Sequence, residues 1–313
     1  MSAEEIEAGV RAGGLLAPDR PVLVMLSGGR DSTCLLDLAV RIAGADAVSA
    51  LHVNYGLRTD SDADEHQCRE LCAALGVGLE ARTPRAPAHG NMHAWARSER
   101  YELADELAGE EREIAAGHTA TDQVETILYR LASSPSRRAL LGMAAREGRL
   151  VRPLLAITRE QTAAYCRERG LSWREDSTND APAYARARVR NELLPALRGI
   201  HPAAEANVLA LATRLREEAM VLDGLVDEVL GGAPEIELAR LRALPVGLAR
   251  LVVQRLADNT AGRPAAGVAR RTEEVLALRA TGSAALDVGA GVRAVAERGM
   301  LRFEPRSSAP TYT

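Results

Sequence analysis

The N-terminal part of the chain alternates short, continuous apolar runs with stretches whose apolar residues recur at helical spacing. Residues 22–26 are such a run and end at Ser27-Gly28-Gly29, which predicts a buried strand followed by a tight turn. From Asp31 to Gly44 the apolar residues follow helical spacing and predict a helix. Further strands are predicted at 48–53 and 113–116, and further helices at 62–75, 92–108 and after Gly117.

Strands that alternate with helices of this length predict an α/β fold with a Rossmann-like parallel sheet built from βαβ units. Ligands of such sheets bind beyond the carboxyl ends of the strands. Ser27, Asn54 and His118 each follow a predicted strand. We therefore expect these three residues to lie at one edge of the sheet.

Beyond about residue 200 the pattern changes to amphipathic helices and a glycine-containing tail. The tail from Ala284 to Glu304 alternates apolar and polar residues, which predicts short antiparallel strands. We expect a catalytic domain at 1–200 and a small helical domain with an antiparallel β tail at 201–313. The helices of this half are predicted at about 184–198, 203–230, 237–256 and 267–279.

The basic residues of this chain are all arginines. The 313 residues include 39 that are Lys or Arg, and none of them is Lys. A Walker-type P-loop, a protein kinase and a Schiff-base enzyme each need a Lys, so these three classes are excluded. Any bound phosphate must be held by Arg, hydroxyl groups and backbone N–H groups.

The remaining composition is that of a globular protein, with 47% hydrophobic and 26% charged residues. The first residues include Glu4, Glu5 and Glu7 and no long apolar run, so we expect no signal peptide. The chain also lacks a run of about 18 apolar residues, so we expect no membrane span and a cytoplasmic protein.

The charge of the chain is unevenly distributed. The net charge is −4, but residues 130–198 hold 14 Arg against 7 acidic residues, a local charge of +7 that leaves −11 for the rest. This stretch predicts either a surface that faces an anionic partner or an ordinary solvated face on which Arg replaces Lys. Composition leaves both interpretations open.

The cysteines form no CxxC pair. Cys68 and Cys72 lie four residues apart within a predicted helix, and Cys34 and Cys166 stand alone in the sequence. We interpret all four as small buried residues rather than as metal ligands or a disulfide framework.

The segment Ser27-Gly28-Gly29-Arg30-Asp31-Ser32 carries the strongest chemical signal. It joins a predicted strand to a predicted helix, where free backbone N–H groups favour an anion. The two glycines let the backbone approach a phosphate, and the two serines can donate hydrogen bonds. Asp31 suits either the positive end of a helix or a Mg²⁺ ion bound to phosphates. The alternative is an ordinary glycine turn with an Asp or Ser cap.

This segment resembles the PP-loop of the ATP-pyrophosphatase family, whose pattern contains no Lys, and the resemblance implies that Ser27 to Ser32 bind ATP. Other segments are similar, in the same order, to motifs of the tRNA(Ile)-lysidine synthetases, and the chain looks like a short member of that family. These segments are His52–Arg58, Ala96–Tyr101, Gly117–Thr126, Arg152–Leu155, Trp173–Asn179 and Leu286–Leu301.

Several positions depart from the motifs of that family. Tyr55 stands where His is usual, and Thr119 and Thr121 replace a His and an Asp of the segment GHHxDDQxET. His118 and Asp122 are retained, so the resemblance implies functional roles for these two residues. The other departures are the missing Asn in Tyr184–Arg190 and the altered loop Ser133–Arg138.

The resemblance implies a two-step reaction on the wobble cytidine of tRNA(Ile) with a CAU anticodon. ATP adenylates the base and releases pyrophosphate, and the ε-amine of free L-lysine then displaces AMP. A Mg²⁺ ion on Asp31 is expected in the first step. Tyr55, Trp173 and Tyr184 are candidates to stack on the flipped-out base.

The second step needs a neutral amine, whereas the ε-amine of free lysine has a pKa of about 10.4. Asp122 and His118 are the expected proton acceptors, with Asp122 preferred. Arg186 is our hypothesis for the cation that neutralises phosphate charge in the first step. His52 and Asn54 complete the expected nucleotide-binding set.

Two rival functions stay open. A related PP-loop enzyme that thiolates a tRNA base would carry paired cysteines for an iron–sulfur cluster, which the absence of CxxC disfavours. A nucleotide- or tRNA-binding module that has lost catalysis would explain Thr119 and Thr121. The oligomeric state is also open, and a homodimer is one of its alternatives.

Overall fold

A computed structural model describes residues 1–56, 61–87, 89–134, 136–174 and 185–306, with His93 described by its backbone alone. The chain divides into two compact units, Met1–Thr213 and Arg214–Thr313. The predicted domain limits, 1–200 and 201–313, stay a prediction that limited proteolysis can test.

The first unit follows the alternation predicted from the sequence. Its strands are β1 (Val22–Met25), β2 (Val48–Val53), β3 (Gly78–Arg82), β4 (Glu113–Ala115), β5 (Arg146–Glu147) and β6 (Leu150–Val151). Its first helices are α1 (Ala3–Ala12), α2 (Arg30–Ala43), α3 (Ser61–Leu75), α4 (Met92–Ala108), α5 (Ala120–Ser133) and α6 (Arg159–Glu168).

These strands form one sheet in the order β3-β2-β1-β4-β6-β5. All neighbouring strands are parallel except β5 and β6, which form a short antiparallel pair. The predicted Rossmann-like α/β fold is therefore confirmed. Because β1 lies between β2 and β4, the strand order reverses at β1, and the crevice beyond its carboxyl end is where open α/β sheets bind ligands.

The strand β1 is apolar throughout because both faces of the sheet are covered. Val22 and Val24 pack into a core shared with α1, α2, α3 and α6. Leu23 and Met25 point to the other face and pack against a second core that includes Ala104 of α4. Burial on both sides explains the continuous apolar run in the sequence.

A buried polar contact fixes α2 against α6. The Tyr165 hydroxyl donates to Asp37 Oδ2 at 2.5 Å, and Arg169 Nε lies 3.4 Å from the same oxygen. Burial and the hydrogen bond to Asp37 raise the pKa of Tyr165. The two helices that this contact joins carry functional side chains in their first turns.

The predicted helix at 184–198 is found from Ala185 onward but is interrupted. It consists of α7 (Ala185–Arg188), a π-helical segment Val189–Leu193 and α8 (Leu194–Ile200). A π-helical turn inserts an extra residue into the helix and frequently lies at a functional site. Here it includes Arg190.

The long helix α9 (Ala204–Leu230) crosses the division between the two units. None of the described helices combines the length and the apolarity that crossing a membrane requires. The second unit adds α10 (Leu238–Ala243), α11 (Val246–Ala261), α12 (Thr272–Leu276) and the strands β7 (Glu235–Glu237), β8 (Ser283–Gly289), β9 (Val292–Glu297) and β10 (Met300–Pro305).

The four strands of the second unit form an antiparallel sheet in the order β7-β10-β9-β8. Leu238 and Leu241 of α10 and Leu301 of β10 are fully buried in its core, and Phe303 of β10 packs with them. The predicted antiparallel tail is confirmed, and it packs with helices into a core of its own.

The four cysteines are free and buried, as the sequence predicts. Burial raises the pKa of the Cys68 thiol to about 12 and that of Cys72 to about 11. These side chains are protonated at neutral pH and unreactive, because the thiolate is the nucleophilic form.

Candidate functional site

The loop from Ser27 to Ser32 follows β1 directly and is held in shape by its own hydroxyl groups. Ser32 Oγ donates to the Gly29 carbonyl at 2.9 Å and accepts the Ser27 N–H at 3.1 Å. Ser27 Oγ donates to Ser32 Oγ at 3.1 Å, because the proton of Ser32 is already engaged. Gly28 has a φ of +82°, and a Cβ there would lie 3.3 Å from Cys68 Sγ, so this turn requires glycine.

Helix α2 begins at this loop without a side-chain cap. Its N-cap residue is Gly29, and no described side chain caps the helix there. In contrast, α1, α5 and α6 each begin with a capping box. The N–H groups of the first turn of α2 form the positive end of the helix dipole, which suits an anion such as a phosphate.

Asp31 lies in that first turn, with its side chain 20% exposed. Its Oδ1 accepts the Thr162 hydroxyl at 2.5 Å, and its Oδ2 lies 3.5 Å from Arg159 Nε. Burial raises the pKa of Asp31 and the charge of Asp122 raises it further, while Thr162 and Arg159 lower it. The ionised carboxylate would gain from a further cation.

Asp122 completes the capping box that begins α5. Its Oδ2 accepts the backbone N–H of Thr119 at 2.8 Å and the Thr119 hydroxyl at 2.7 Å. Its Oδ1 accepts Arg159 Nη2 at 2.8 Å. The predicted catalytic carboxylate is thus already hydrogen-bonded through both oxygens, and its side chain is 20% exposed.

Asp31, Asp122 and Glu125 form a group that we call the carboxylate cluster. Arg159 lies among them, with its Nη1 3.7 Å from Glu125 Oε1. Glu125 is 5% exposed and accepts two hydrogen bonds from Arg190, at 2.6 and 2.8 Å. The sequence pattern did not single out Glu125, Arg159 or Arg190 as site residues. The three-residue spacing of Asp122 and Glu125, which places both on one face of a helix, was the available signal.

His118 lies between the end of β4 and the start of α5. Its Nδ1 is buried and has no hydrogen-bond partner among the described residues. Burial lowers the pKa of His118 to about 4, with Asp122 opposing this shift and Arg152 and Arg100 adding to it. The imidazole is therefore neutral at pH 7 and offers an unused nitrogen near Asp122.

Gly117 brings the two loops of the site together. A Cβ on Gly117 would lie 3.2 Å from the carbonyl carbon of Asp31 and 3.2 Å from the nitrogen of Ser32. The loop after β4 therefore packs directly on the first turn of α2, at the crevice where the strand order reverses. This contact places the start of α5 next to the loop from Ser27 to Ser32.

The structure places His52 and Asn54 in supporting positions at the end of β2. His52 is 4% exposed, and its Nδ1 donates to the Leu26 carbonyl at 2.9 Å. Asn54 donates to Asp62 and Glu65, both at 3.1 Å, and accepts the N–H of Gly56 at 3.0 Å. These contacts hold the loop ends, and their role at a nucleotide stays a prediction.

The two threonines that depart from the family motif have structural partners. Thr119 is fully buried and caps α5. Thr121 Oγ1 accepts the backbone N–H of Arg159 at 3.2 Å, which ties the start of α6 to α5. The substitutions therefore maintain the local architecture around Asp122 rather than disrupt it.

Arg186 and two of the residues predicted to stack on the base, Tyr55 and Trp173, contact other parts of the first unit. Arg186 Cζ lies 5.8 Å from the centre of the Tyr129 ring on α5, a cation–π distance. The Tyr55 hydroxyl donates to the Ala96 carbonyl at 2.7 Å. Trp173 packs against the core of the first unit. The segments 57–60 and 175–184, which include Leu57-Arg58, the motif residues Glu175–Asn179, and Tyr184, lie outside the described residues.

Much of the basic stretch 130–198 is engaged in ion pairs. Eight of its arginines contact a carboxylate within the described part of the chain, among them Arg149 with Asp105 and Arg198 with Glu205. The other six of these are Arg146, Arg152, Arg159, Arg169, Arg174 and Arg190. An anion-facing surface would therefore have to be made by a minority of these arginines.

Comparison with known protein families agrees with this geometry. A family model described as a PP-loop domain matches residues 4–197. Among solved structures, the U34-tRNA thiolase NcsA from Methanococcus maripaludis, with its 4Fe–4S cluster, superposes with a TM-score of 0.56 at 18% identity and covers 68% of this chain and 78% of that one. Fold and loop together define a PP-loop protein.

Curated relatives narrow the family further. The tRNA(Ile)-lysidine synthase of Chlorobaculum tepidum is 32% identical over 314 residues, which is 92% of each chain. That of Pseudomonas syringae pv. tomato is 35% identical over 230 residues, 71% of this chain and 52% of the relative. The chain belongs to the tRNA(Ile)-lysidine synthase family of PP-loop proteins, and it spans about half the length of the first curated relatives it matches.

Proposed function

We propose that this chain ligates L-lysine to the wobble cytidine of the CAU anticodon of tRNA(Ile), using ATP. The supporting observation is the contact at Gly117, which places the uncapped start of α2 against the loop that carries His118 and leads into α5, where Asp122 lies in the first turn. The element proposed to bind phosphate and the element proposed to accept a proton thus lie at one crevice. The names of the relatives, tRNA(Ile)-lysidine synthases, support tRNA(Ile) and lysine as the proposed substrates.

In the first step the carbonyl oxygen of the cytosine ring attacks the α-phosphorus of ATP, and pyrophosphate leaves. The attacking oxygen is a weak nucleophile, so the step depends on stabilising negative charge at the phosphates. Backbone N–H groups of α2 and the hydroxyls of Ser27 and Ser32 suit this task. Arg186, whose Cζ lies 5.8 Å from the centre of the Tyr129 ring on α5, is proposed as the cation that neutralises phosphate charge.

The Asp31 carboxylate suits a Mg²⁺ ion that would be bound jointly by Asp31 and by the phosphates of ATP. No three His, Cys, Asp or Glu side chains form a metal cage within the described ranges. Magnesium is commonly held by one or two carboxylates together with substrate phosphates, so no such cage is needed. Burial raises the pKa of Asp31, and a cation would stabilise its ionised form. When bound, such an ion supplies neutralisation of phosphate charge.

In the second step the lysine ε-amine attacks the adenylated carbon, the carbon–oxygen bond to AMP breaks, and the amine releases its proton. Asp122 is the proposed proton acceptor because its carboxylate is partly exposed and shares the Arg159 guanidinium with Asp31. His118 is proposed to accept a hydrogen bond from the amine, because it is neutral and its Nδ1 is unused among the described residues.

Incubation with ATP, a CAU-anticodon tRNA(Ile) transcript and labelled lysine tests this function. We expect label in the tRNA and equimolar release of AMP and pyrophosphate. Pyrophosphate release without label would indicate a different nucleophile, such as the sulfur donor of a thiolating enzyme. Absence of both products would indicate a binding module, and either of these outcomes would overturn the proposal.

A further inference from the structure

Arg159 is placed where it contacts both halves of the site. Its Nη2 donates to Asp122 on α5 at 2.8 Å, and its Nε lies 3.5 Å from Asp31 on α2. Its Nη1 lies 3.7 Å from Glu125, also on α5. Its side chain is only 18% exposed, so these ion pairs are poorly screened by solvent. A single guanidinium therefore bridges the phosphate-binding helix and the helix of the proposed proton acceptor.

The position of Arg159 is fixed from several directions. Its backbone N–H donates to Thr121 Oγ1 at 3.2 Å. The capping box of Thr158 and Gln161 begins α6 at this residue. One turn further, the Thr162 hydroxyl donates to Asp31 at 2.5 Å. The start of α6, and with it the backbone of Arg159, is thereby tied to α5 and α2.

Arginine suits this bridging role and lysine does not. The planar guanidinium presents donors in three directions and contacts three carboxylates at once, whereas an ammonium is a single compact charge. Without Arg159, the carboxylates of Asp31 and Asp122 would lose the guanidinium that lies 3.5 Å from one and 2.8 Å from the other, and their like charges would repel each other. The first turn of α2 and the start of α5 would then lose their common anchor.

We propose that Arg159 is a positioning residue that couples the ATP half of the site to the amine half. It holds Asp31 toward the phosphates and orients the Asp122 carboxylate toward the lysine amine. The coupling to lysine transfer rests on the proposed function, but the effect on ATP binding does not.

The test compares Arg159→Ala and Arg159→Lys with Arg169→Ala. Arg169 also joins α6 to α2, through Asp37, but it lies outside the carboxylate cluster and serves as the matched control. ATP affinity is measured by calorimetry in the presence of Mg²⁺, and lysine transfer by single-turnover labelling at saturating ATP. Both assays are repeated with millimolar guanidinium, and folding is checked by circular dichroism.

We expect Arg159→Ala to lose about tenfold in ATP affinity and at least about tenfold in the transfer rate, the size of a charge-assisted contact. Added guanidinium should restore part of the ATP affinity and part of the transfer rate of Arg159→Ala. It should change neither quantity in Arg169→Ala. Arg159→Lys should retain an intermediate affinity. If Arg159→Ala does not fold, Arg159→Gln, which keeps hydrogen-bond donors without charge, is measured in its place.

Two results would overturn the role of Arg159. One is behaviour identical to Arg169→Ala in both assays. The other is a folded variant whose losses do not respond to guanidinium. If the wild-type chain binds ATP but transfers no lysine, the proposed function fails, while ATP affinity and its rescue still decide whether Arg159 positions Asp31.

Discussion

Asp122 combines a structural and a proposed chemical role in one side chain. Its Oδ2 caps α5 through Thr119, and its Oδ1 pairs with Arg159. We expect Asp122→Asn to abolish lysine transfer, because the amide cannot accept the proton. The lost cap and ion pair should also destabilise the fold by about 1 kcal/mol, more than an exposed helix charge would. Labelling and urea denaturation measure the two effects.

A control separates these two roles. Ser2 begins α1 with the same type of capping box and lies outside the site. Ser2→Ala should cost a similar amount of stability, about 1 kcal/mol, with no loss of lysine transfer. Measurable transfer by Asp122→Asn, after correction for its folded fraction, would remove Asp122 from the mechanism.

His118 should make the stability of the fold depend on pH. Burial holds its pKa near 4, below the ordinary value of 6.5. Its neutral form therefore stabilises the folded state above pH 6.5, and this contribution is lost as the pH falls from 6.5 toward 4, where the unfolded chain takes up the proton first. Over that range we expect the unfolding free energy of the wild type to fall more steeply than that of His118→Gln. Parallel slopes in urea titrations would contradict the buried, neutral state.

The sequence revealed those site residues whose position follows from a strand end close to them in the chain. Asp31, His118 and Asp122 stand beside a predicted strand end, so their neighbourhood follows from the fold. Arg159 could not be found in this way, because it lies 37 residues from Asp122 and its role exists only once α6 packs on α2. Glu125 is paired by Arg190 across 65 residues for the same reason.

At the scale of secondary-structure elements, Gly117 determines how closely the loop after β4 approaches the first turn of α2. We expect Gly117→Ala to weaken ATP binding by about tenfold, because the new Cβ meets the rigid backbone of Asp31 and Ser32 at 3.2 Å and must push the loop away. Calorimetric titration with ATP provides the measurement. The same substitution at Gly9, within α1 and with open space around it, should leave ATP affinity unchanged and slightly stabilise the helix. Equal ATP affinity for Gly117→Ala and wild type would contradict the close contact.

Most elements follow from apolar periodicity, and the exceptions have physical causes. The strand β3 contains no fully buried residue and lies at the edge of the sheet, so it lacks an apolar run. The π-helical turn Val189–Leu193 was not predicted either, because one inserted residue shifts the helical periodicity of the apolar positions only locally. Arg190 within that turn reaches Glu125, so the irregularity brings a cation to the carboxylate cluster.

For the whole molecule, the ion pairs determine how many arginines can serve a nucleic acid. Arg188 is exposed, whereas Arg198 pairs with Glu205. We expect Arg188→Gln to reduce the slope of log affinity for tRNA against log salt by about 0.7, the value for one single-stranded phosphate contact. Arg198→Gln should leave this slope unchanged. A filter-binding series at increasing salt measures both, and identical slopes for Arg188→Gln and wild type would exclude Arg188 from the tRNA surface.

The buried thiols make this chain nearly inert to the common bioconjugation reagents. Cys34, Cys68, Cys72 and Cys166 are inaccessible, and no ε-amine is present because every basic side chain is an arginine. Amine-reactive reagents should therefore modify only the α-amino group and should not inactivate the site. A single Cys or Lys introduced on the surface would be a unique attachment point for a fluorophore, a spin label or a photocrosslinker, without prior removal of native residues.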